Sequence, residues 1–323
     1  MTRLVLFDGN AILHRAFHAL PPSLTAKDGT PTNAVYGFVA MLLKVIEDLK
    51  PTHVAVAFDR PKPTFRKELF KDYQAQRPEM DDKLVPQIAF VHDVLSAMKI
   101  PVFEMDGYEA DDVLGTITQQ VQSSKFKVQS GKVDDVVIVT GDRDLLQLVN
   151  EKVKLYMPVK GLIEAKLFGE KEAEERMGVT PRQVPDFKAL AGDPSDNYPG
   201  VAGIGPKTAV QLLKQFGSVE NLYQHLDRVK NPAVKEKLIK DKANALLSHK
   251  LATVVTDVPV DFSPETTELP SDFLTQEVIT AFGKLGFKTL LKRLTEMGKK
   301  EPSESINKAE AKKDLEKSQM ELF

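Results

Sequence analysis

The sequence predicts an α/β domain with a parallel sheet, followed by a smaller helical domain. Three short apolar runs rich in β-branched residues predict the sheet: Leu4–Phe7, Val54–Phe58 and Val136–Thr140. Continuous runs of this length indicate strands that are buried on both faces. Helical patterns lie between them, as at residues 36–46 and 88–95, and this alternation is typical of α/β layers. After about residue 180, helical segments linked by Gly and Pro dominate.

Length and composition exclude several classes of protein. The 323 residues are enough for about two domains at roughly 100–200 residues each. The absence of cysteine excludes a disulfide scaffold, a Cys-ligated zinc site, an iron–sulfur cluster and a thiol nucleophile. The apolar start of the chain is too short for a signal peptide, and no apolar run reaches the ~20 residues of a membrane span. We therefore expect no membrane partner and a cytoplasmic location.

An aspartate follows each of the three predicted strands, namely Asp8, Asp59 and Asp142. Because α/β folds place their sites where the carboxyl ends of parallel strands meet, we expect these side chains to lie close together. Further acidic residues lie at predicted turns and helix starts. The full set of candidate metal ligands is Asp8, Asp59, Glu109, Asp111, Asp112, Asp142, Asp144, Asp193 and Asp196.

Two interpretations fit these carboxylates. The first is N-capping of helices, which accounts for any one of them alone and stabilises by about 1 kcal/mol. The set as a whole favours metal binding, because so many carboxylates at one edge would repel one another and raise each other's pKa values. All-oxygen ligands suit Mg²⁺ or Mn²⁺ and not zinc. Two such ions about 4 Å apart are the usual arrangement for cleaving a phosphodiester.

A glycine-rich loop at residues 192–209 is the most specific stretch of the sequence. Gly200 and Gly205 have the spacing of a P-loop, but Pro206 stands where the lysine belongs and no apolar strand precedes the loop. A helix–hairpin–helix turn fits better, because Gly203 and Gly205 allow a phosphate to approach closely and the next helix offers N–H groups to it. The alternative is a structural turn between two helices.

The charges are unevenly spread, although the net charge is only −2. Residues 60–77 carry six Lys or Arg against two acidic residues, and residues 203–250 carry nine against four. Basic segments around an acidic centre suit a metal-dependent nuclease, since the flanks bind the nucleic-acid backbone and the centre holds metals. For either segment alone, the alternative is an ordinary solvated face.

Five motifs in order identify a family. They are Asp8–Phe17, Phe58-Asp59 with residues 64–78, Gly107–Asp112, Thr140–Leu148, and Gly192–Asn197 with its glycine-rich loop. Together, over residues 4–294, they resemble the 5′–3′ exonuclease domain of bacterial DNA polymerase I, in the flap endonuclease superfamily. The resemblance implies a PIN-like parallel-sheet domain at residues 1–180 with a helical arch at about 60–99. It also implies a helix–hairpin–helix (H3TH) domain with a closing helix at 181–296. The many charges and weak apolar periodicity of the residues that follow predict a disordered tail at 297–323.

The resemblance also implies roles for single residues. One metal site would consist of Asp8, Asp59, Glu109, Asp111, Asp112 and Asp142, and the second of Asp144, Asp193 and Asp196. Arg15, Tyr73 and Arg77 would be catalytic residues that hold the scissile or 5′ phosphate region. The DNA contacts would be Arg66, Lys71, Gly203, Gly205, Lys207 and Thr208, with a K⁺ ion on carbonyls of the Gly200–Lys207 loop.

The activity implied by the resemblance is two-metal cleavage of DNA as a structure-specific 5′–3′ exonuclease and flap endonuclease. Its partners would be branched or 5′-flap duplex DNA and RNA primers on DNA, in replication and repair at the bacterial nucleoid, and the protein would be a monomer. Two other functions stay open. The complete carboxylate set argues against a catalytically silent branched-DNA-binding module, and the hairpin loop argues against a PIN-type ribonuclease.

Two features of the sequence extend or depart from the resemblance. Many relatives carry a lysine after the arch tyrosine, where this chain has Gln74; in the family that lysine helps to neutralise charge in the transition state, and Arg77 or Lys71 are candidates to replace it. The segment Gln319–Phe323 resembles a sliding-clamp-binding peptide on a charged tether. The alternatives are a chance match or an apolar end that folds back on the domain.

Overall fold

The computed structural model describes residues 2–123, 133–161 and 164–298. Its strands are β1 (Arg3–Asp8), β2 (His53–Ala57), β3 (Val102–Phe103), β4 (Asp135–Val139), β5 (Val153–Lys160) and β6 (Glu164–Phe168). They form one sheet of order β3-β2-β1-β4-β5-β6, in which β1 to β5 pair in parallel and β6 is antiparallel to β5. The predicted parallel-sheet α/β class is therefore confirmed. The β5–β6 pair is an addition that the apolar runs do not predict.

Helices flank this sheet and make up most of the rest of the chain. In the first part they are α1 (Gly9–Ala19), α2 (Asn33–Leu49), α3 (Phe65–Leu69), α4 (Val85–Ala97), α5 (Ala110–Gln122) and α6 (Glu170–Met177). After them come α7 (Val184–Ala191), α8 (Pro206–Phe216), α9 (Val219–Gln224), α10 (Pro232–Lys240), α11 (Lys242–Ala252) and α12 (Gln276–Leu285), and residues 288–298 are also helical. In the described ranges, no helix has both the length and the apolar composition needed to cross a membrane.

The sheet has a hydrophobic core on each face, because successive side chains of a strand point to opposite sides. In β1, Leu4 and Leu6 face one core, and Val5 and Phe7 face the other. All four are at most 1% exposed. Full burial of such a side chain is worth about 1.5–3 kcal/mol. This two-sided burial explains why β1, β2 and β4 are continuous apolar runs with polar or charged residues only at their ends.

The order of the strands sets the position of the site. From β1 the chain proceeds through β2 to β3 on one side of the sheet, and then returns to β4 and β5 on the other. The crevice beyond the carboxyl ends of β1 and β4 is therefore the topological switch point, where open α/β sheets bind their ligands. Asp8 ends β1, and Asp142 lies three residues beyond β4.

The helical second part shares one core with the sheet. Leu190 of α7, Leu213 of α8 and Leu222 of α9 belong to the same buried cluster as Leu4 and Leu6 of β1. The last described helices, up to residue 298, depart from the predicted domain boundaries. The prediction places the closing helix in the second domain, whereas Phe282, Phe287, Leu290 and Leu294 pack into the core on the other face of the sheet, with α2 and α4. The closing helix thus belongs structurally to the first domain.

The structure also corrects the extent of the predicted arch, residues 60–99. Helix α4 lies in this range, yet Val91, Val94 and Leu95 are at most 1% exposed and belong to the core of the sheet. An apolar helix face of this kind must pack on another element to be stable. The residues of this range that face the predicted site lie between Arg60 and Pro78, a segment that includes α3.

Candidate active site

An open pocket of about 700 Å³ lies at the carboxyl edge of the sheet. Seven of the nine predicted metal ligands line it: Asp8, Asp59, Glu109, Asp111, Asp142, Asp144 and Asp196. The carboxylates fall into two groups. We call Asp8, Asp59, Asp111 and Asp142 the strand-end group, because strand ends and the start of α5 position them. We call Asp144, Asp193 and Asp196 the loop group, because Asp193 and Asp196 lie in the loop after α7 and Asp144 begins a short 3₁₀ helix after β4.

Hydrogen bonds fix the carboxylates of β1 and β4 at the switch point. Asp8 caps α1, and its Oδ1 accepts from the Ala11 N–H at 2.9 Å. Its Oδ2 accepts from the Thr140 hydroxyl at 2.7 Å, and the Asp142 N–H donates to that hydroxyl oxygen at 2.9 Å. The capping interpretation is therefore correct for Asp8, but this capping carboxylate also lines the pocket.

The carboxylates of β2 and α5 are joined in the same way. The Asp59 Oδ1 accepts from the Ala110 N–H at 2.7 Å, at the first residue of α5. The Asp59 N–H donates to the Asn10 side chain at 2.8 Å, so that β2, α1 and α5 are tied together beside the pocket. Asp111 lies in the first turn of α5. A helix N-terminus favours negative charge, which explains why acidic residues are tolerated here.

Burial and mutual repulsion raise the pKa values of these carboxyls. Burial raises the pKa of Asp8 to about 7, and the charges of Asp59 and Asp142 contribute in the same direction. Burial likewise raises the pKa of Glu109 to about 7. Burial and the neighbouring charges, first that of Asp142, hold the pKa of Asp111 well above its usual range. The metal-free pocket is therefore a place where negative charge is in excess, as a cation-binding site requires.

The loop group is more compact and already carries cationic partners. One oxygen from each of Asp144, Asp193 and Asp196 lies within 4.8 Å of the others. Among the described residues, no three carboxylates of the strand-end group have oxygens this close to one another. The Lys188 ammonium of α7 donates to both Asp144 and Asp193. The Arg77 guanidinium donates to Asp196 Oδ1 at 2.6 Å.

These donors fit a divalent cation. Acidic oxygens are the ligands that Mg²⁺ and Mn²⁺ prefer. An independent observation is the hydroxyl of Tyr198, which is buried and has no hydrogen-bond partner among the described residues. The charges of all three carboxylates of the loop group act on this hydroxyl and, after burial, raise its pKa. A buried polar atom without a partner is costly, so the hydroxyl marks a position where a further ligand completes the structure.

Residues of the arch segment face the loop group across the pocket. The Tyr73 hydroxyl donates to Glu109 Oε2 at 3.2 Å. Gln74 has a left-handed backbone conformation with φ of 55°, and its N–H donates to the backbone carbonyl of Asp196 at 2.9 Å. The guanidinium of Arg77 is 52% exposed. The arch segment is thus held by the loop that carries Asp196. It presents exposed cations to the pocket, among them Lys67 and Arg77.

The glycine-rich loop forms the turn that precedes α8. Gly203 has a φ of +76° and Gly205 is the residue before Pro206, the first residue of α8. Lys207 is exposed, as the helix–hairpin–helix interpretation requires. The Lys237 ammonium of α10 donates to the Gly203 carbonyl at 3.1 Å, so that a cationic side chain already occupies one carbonyl of this loop.

Comparisons with known proteins agree with this architecture. A family model described as 5′-3′ exonuclease, N-terminal resolvase-like domain, matches residues 3–178, and one described as 5′-3′ exonuclease, C-terminal SAM fold, matches residues 179–272. The chain belongs to the 5′–3′ exonuclease family. The resemblance seen in the sequence is therefore confirmed.

Curated relatives of this family are larger proteins. DNA polymerase I of Bacillus subtilis is 43% identical over 294 residues, which are 91% of this chain and 32% of the relative. DNA polymerase I of Mycobacterium tuberculosis is 40% identical over 293 residues, 90% of this chain and 31% of the relative. The chain thus spans about a third of the length of the curated relatives that it matches.

Two solved structures share the fold. One is a bacteriophage T5 D15 flap endonuclease variant in a pseudo-enzyme-product complex with DNA and metal ions, with a TM-score of 0.61, 20% identity, and coverage of 92% of this chain and 100% of the other. The other is the catalytic core of Rad2 in complex with a DNA substrate, with a TM-score of 0.54, 17% identity, and coverage of 91% and 92%. At these identities the likeness concerns the fold.

Two of the residues assigned to the exonuclease site pair with each other. Arg66, predicted to contact DNA, is 3% exposed, and its guanidinium donates to both oxygens of Asp112 at 2.6 and 2.8 Å and to the carbonyls of Leu251 and Thr253. Asp112, predicted as a metal ligand, is 0% exposed and also accepts from the Val255 N–H at 2.9 Å. In this structure the two side chains form a buried ion pair, and their roles as a DNA contact and a metal ligand stay predictions.

Other predicted residues of the exonuclease lie near the pocket but outside its lining. The Arg15 guanidinium donates to the Gly161 carbonyl at 2.9 Å, and Lys71 is exposed. Asp193 is 8% exposed and is held by Lys188. Burial raises its pKa, but the Lys188 charge and the hydrogen bonds from Ser195 outweigh this, so the pKa is lowered. The DNA-binding and catalytic roles of Arg15, Tyr73, Arg77, Lys71, Lys207 and Thr208 stay predictions.

The sequence interpretation missed two residues at the exonuclease site. His14 lines the pocket one turn after Asn10 on α1, and burial lowers its pKa. Lys188 joins the loop group, although it lies five residues before Asp193. The sequence carries a signal for Lys188, since it is the one cation of α7, a largely apolar helix that also contains Asp186, and a buried cation needs an acidic partner.

Proposed function

We propose that this chain is a metal-dependent nuclease that cleaves DNA from the 5′ side, as a 5′–3′ exonuclease and flap endonuclease. The observation that carries the proposal is the pocket at the switch point of the sheet, lined by seven carboxylates. Family membership supports the reaction class, and the T5 and Rad2 structures are complexes of those proteins with DNA. The substrates would be branched or 5′-flap duplex DNA and RNA primers on DNA, during replication and repair.

The strand-end group, with Glu109 beside it, would hold one divalent ion, and the loop group a second. The raised pKa values of Asp8, Glu109 and Asp144, each about 7, reflect an excess of negative charge that a cation would relieve. We propose Mg²⁺ or Mn²⁺ as the two ions. When bound, two such ions stabilise the attacking and leaving oxygens of an in-line displacement.

The arch segment would position the phosphate. The Arg77 guanidinium is half exposed and presents a fork of N–H donors that matches the geometry of a phosphate; the carboxylate that it now contacts, Asp196, is a member of the loop group. The Tyr73 hydroxyl lies between Glu109 and Asp196, so it would orient these carboxylates toward the ions. Gln74 lines the pocket beside them and contributes no charge.

The hairpin loop would bind the duplex away from the cleavage point. The first N–H groups of α8 have no partner within the helix and suit a backbone phosphate, and Lys207 adds a positive charge beside them. A K⁺ ion on the loop carbonyls is part of the proposal. Because Lys237 already donates to the Gly203 carbonyl, that ion would use other carbonyls of residues 200–207.

Further partners and a location belong to the proposal. We propose a monomer that works at the nucleoid in the bacterial cytoplasm. The clamp-binding segment Gln319–Phe323 lies outside the described residues, and it stays a proposal on its sequence alone. Titrating a fluorescent peptide of residues 317–323 with a bacterial sliding clamp tests it. Saturable binding that is lost on Leu322→Ala with Phe323→Ala is expected, and its absence would reject the clamp partner.

The test of the function is cleavage of three 5′-labelled DNAs: a 5′ flap, a matched single strand and a blunt duplex. We expect the flap to be cleaved fastest, in Mg²⁺ or Mn²⁺ and not in excess EDTA. Asp142→Ala should lose cleavage but keep binding of the flap, because the DNA-binding surface is intact. Asp93→Ala is the matched control, since Asp93 is an exposed carboxylate that lines a separate cavity. Full activity in EDTA would reject the metal-dependent function.

A further inference from the structure

A lysine is buried in the acidic loop group. Lys188 is 8% exposed and lies in α7 among buried apolar neighbours such as Val184, Ala189 and Leu190. Its ammonium donates to Asp144 Oδ1 and to Asp193 Oδ2. Taking an ammonium out of water is expensive unless it is paired and hydrogen-bonded. Burial lowers the pKa of Lys188, but the two carboxylates outweigh this and raise it, so the group is a permanent cation here.

The position of this ammonium coincides with a set of metal ligands. Asp144 and Asp193 are two of the three residues whose ligand oxygens lie within 4.8 Å of one another. The third, Asp196, is paired with Arg77 at 2.6 Å. In the described structure, the negative charge of the loop group is therefore met by protein cations. The strand-end group differs, because no ion pair within the described ranges involves Asp8, Asp59, Asp111 or Asp142.

The hydroxyl of Tyr198 indicates that the loop group is adapted to a further ligand. Tyr198 is 3% exposed, and in the described part of the chain its hydroxyl has no hydrogen-bond partner. The charges of Asp144, Asp193 and Asp196 all act on this hydroxyl. Lys188 satisfies the carboxylates but leaves the tyrosine unsatisfied, so the lysine-bound arrangement is incomplete.

We propose that Lys188 is an internal cation that holds the loop group together in the metal-free protein and is displaced when a divalent ion binds there. The inference rests on the proposed two-ion function. An ammonium and a divalent ion that share the same oxygens repel strongly at distances of about 4 Å. The lysine stem is flexible and its charge is compact, which allows the ammonium to leave. The second ion must therefore bind more weakly than the first, because it competes with a tethered cation.

The test is a titration of the full chain with Mn²⁺, followed by the electron paramagnetic resonance signal of the free ion. We expect one tight and one weaker site in the wild type. In Lys188→Met the weaker site should become at least about tenfold tighter, since a positive charge within about 4 Å is removed. Lys171→Met is the matched control, because Lys171 is 84% exposed and its loss should leave both affinities unchanged.

Thermal unfolding gives a second measurement and covers a variant that folds poorly. In EDTA, Lys188→Met should melt at a lower temperature than the wild type, because the loop group loses its cation. Mn²⁺ should raise the melting temperature of the variant more than that of the wild type. If the variant is unfolded in EDTA, recovery of the folded state with Mn²⁺ supports the inference, and failure to recover overturns it.

The outcomes separate this inference from the proposed function. Two Mn²⁺ sites in the wild type with unchanged or weaker affinity in Lys188→Met would overturn the displacement and leave the two-ion function intact. No Mn²⁺ binding to the wild type would overturn both.

Discussion

The two groups of carboxylates in the pocket solve the same electrostatic problem differently. The strand-end group consists of Asp8, Asp59, Asp111 and Asp142, held by hydrogen bonds to backbone N–H groups and to Thr140. The loop group is held by ion pairs to Lys188 and Arg77. In the first, a rigid sheet keeps like charges near one another without a cation. In the second, the segments that carry Asp144, Asp193 and Asp196 converge around protein cations that neutralise these carboxylates.

The difference between the two groups indicates that they bind their metal ions with different affinities. A sheet edge can hold unneutralised carboxylates, because the energy of the buried core outweighs their repulsion. Turns have fewer packing contacts, so a cluster of carboxylates there needs a counter-charge to be stable. We therefore expect the strand-end group to bind its ion tightly and to control turnover. The loop group should bind its ion weakly and reversibly.

The largest expected effect is the loss of a strand-end ligand. Asp142→Ala should lower the single-turnover rate by more than about 100-fold, because even partners outside the ligand set typically cost 10–100-fold. The same change should leave the metal-free protein as stable as before or more stable, since the Asp142 charge contributes to the raised pKa values of Asp8 and Asp111. Quenched-flow kinetics and urea unfolding in EDTA measure the two effects. A large loss of stability would contradict the repulsion argument.

The second prediction contrasts Asp142 with Asp112, which lies near the same pocket but is paired with Arg66. Asp112→Ala should lower the free energy of unfolding by about 3–5 kcal/mol, because it removes the carboxylate that pairs with the buried Arg66 guanidinium. The longer contact of that guanidinium to Glu109, at 3.4 Å, remains. Arg66 and Asp112 are only 3% and 0% exposed, so solvent does not screen this pair. Urea unfolding measures the loss. Replacing both residues, Arg66→Met with Asp112→Leu, should recover part of the stability, and a neutral effect of Asp112→Ala would return Asp112 to the ligand set.

The third prediction concerns pH. The carboxyls of Asp8, Glu109 and Asp144 have pKa values of about 7 in the folded chain, above their usual values near 4 in the unfolded chain. Between about pH 4 and 7 the folded state therefore binds more protons, so the stability of the metal-free protein falls as pH rises through this window. Asp193, whose pKa is lowered, titrates below the window and does not offset the fall.

Melting temperatures in EDTA should accordingly decrease from pH 5 to pH 8, and Mg²⁺ should reduce the decrease because it binds the ionised carboxylates. Asp111→Asn should flatten the dependence in EDTA, since the pKa of Asp111 is also raised. A melting temperature in EDTA that rises with pH, or one that Mg²⁺ changes equally at both pH values, would contradict the excess of negative charge.

The smallest expected effect is at Gln74, next to the loop group. Gln74→Lys should raise the single-turnover rate by up to about tenfold, because it places a cation in a pocket that partly excludes water. The gain is limited because Arg77 already lines the same pocket. Gln76→Lys is the matched control, since Gln76 is exposed and does not belong to the pocket lining. An unchanged or lower rate would mean that another group already neutralises the transition state.

The sequence by itself determined the sheet and the strand-end carboxylates. A buried parallel strand needs a continuous apolar run, and its carboxyl end must meet its neighbours at one edge, so Asp8, Asp59 and Asp142 are predictable without coordinates. The family motifs are equally local, because they consist of residues close together in the chain. Both inferences depend on the pattern of apolar residues and on the spacing of motif residues, and a single sequence shows both.

Only the tertiary structure decided which charges are free. Arg66 and Asp112, and likewise Lys188 and Asp144, lie far apart in the chain, and their pairing depends on how α3, α5 and α7 pack. Tertiary packing also places the closing helix and α4 in the core on one face of the sheet, where Phe287 and Val91 are buried. A sequence shows that a side chain is charged, but burial and partners decide whether that charge binds a metal, binds DNA or stabilises the fold.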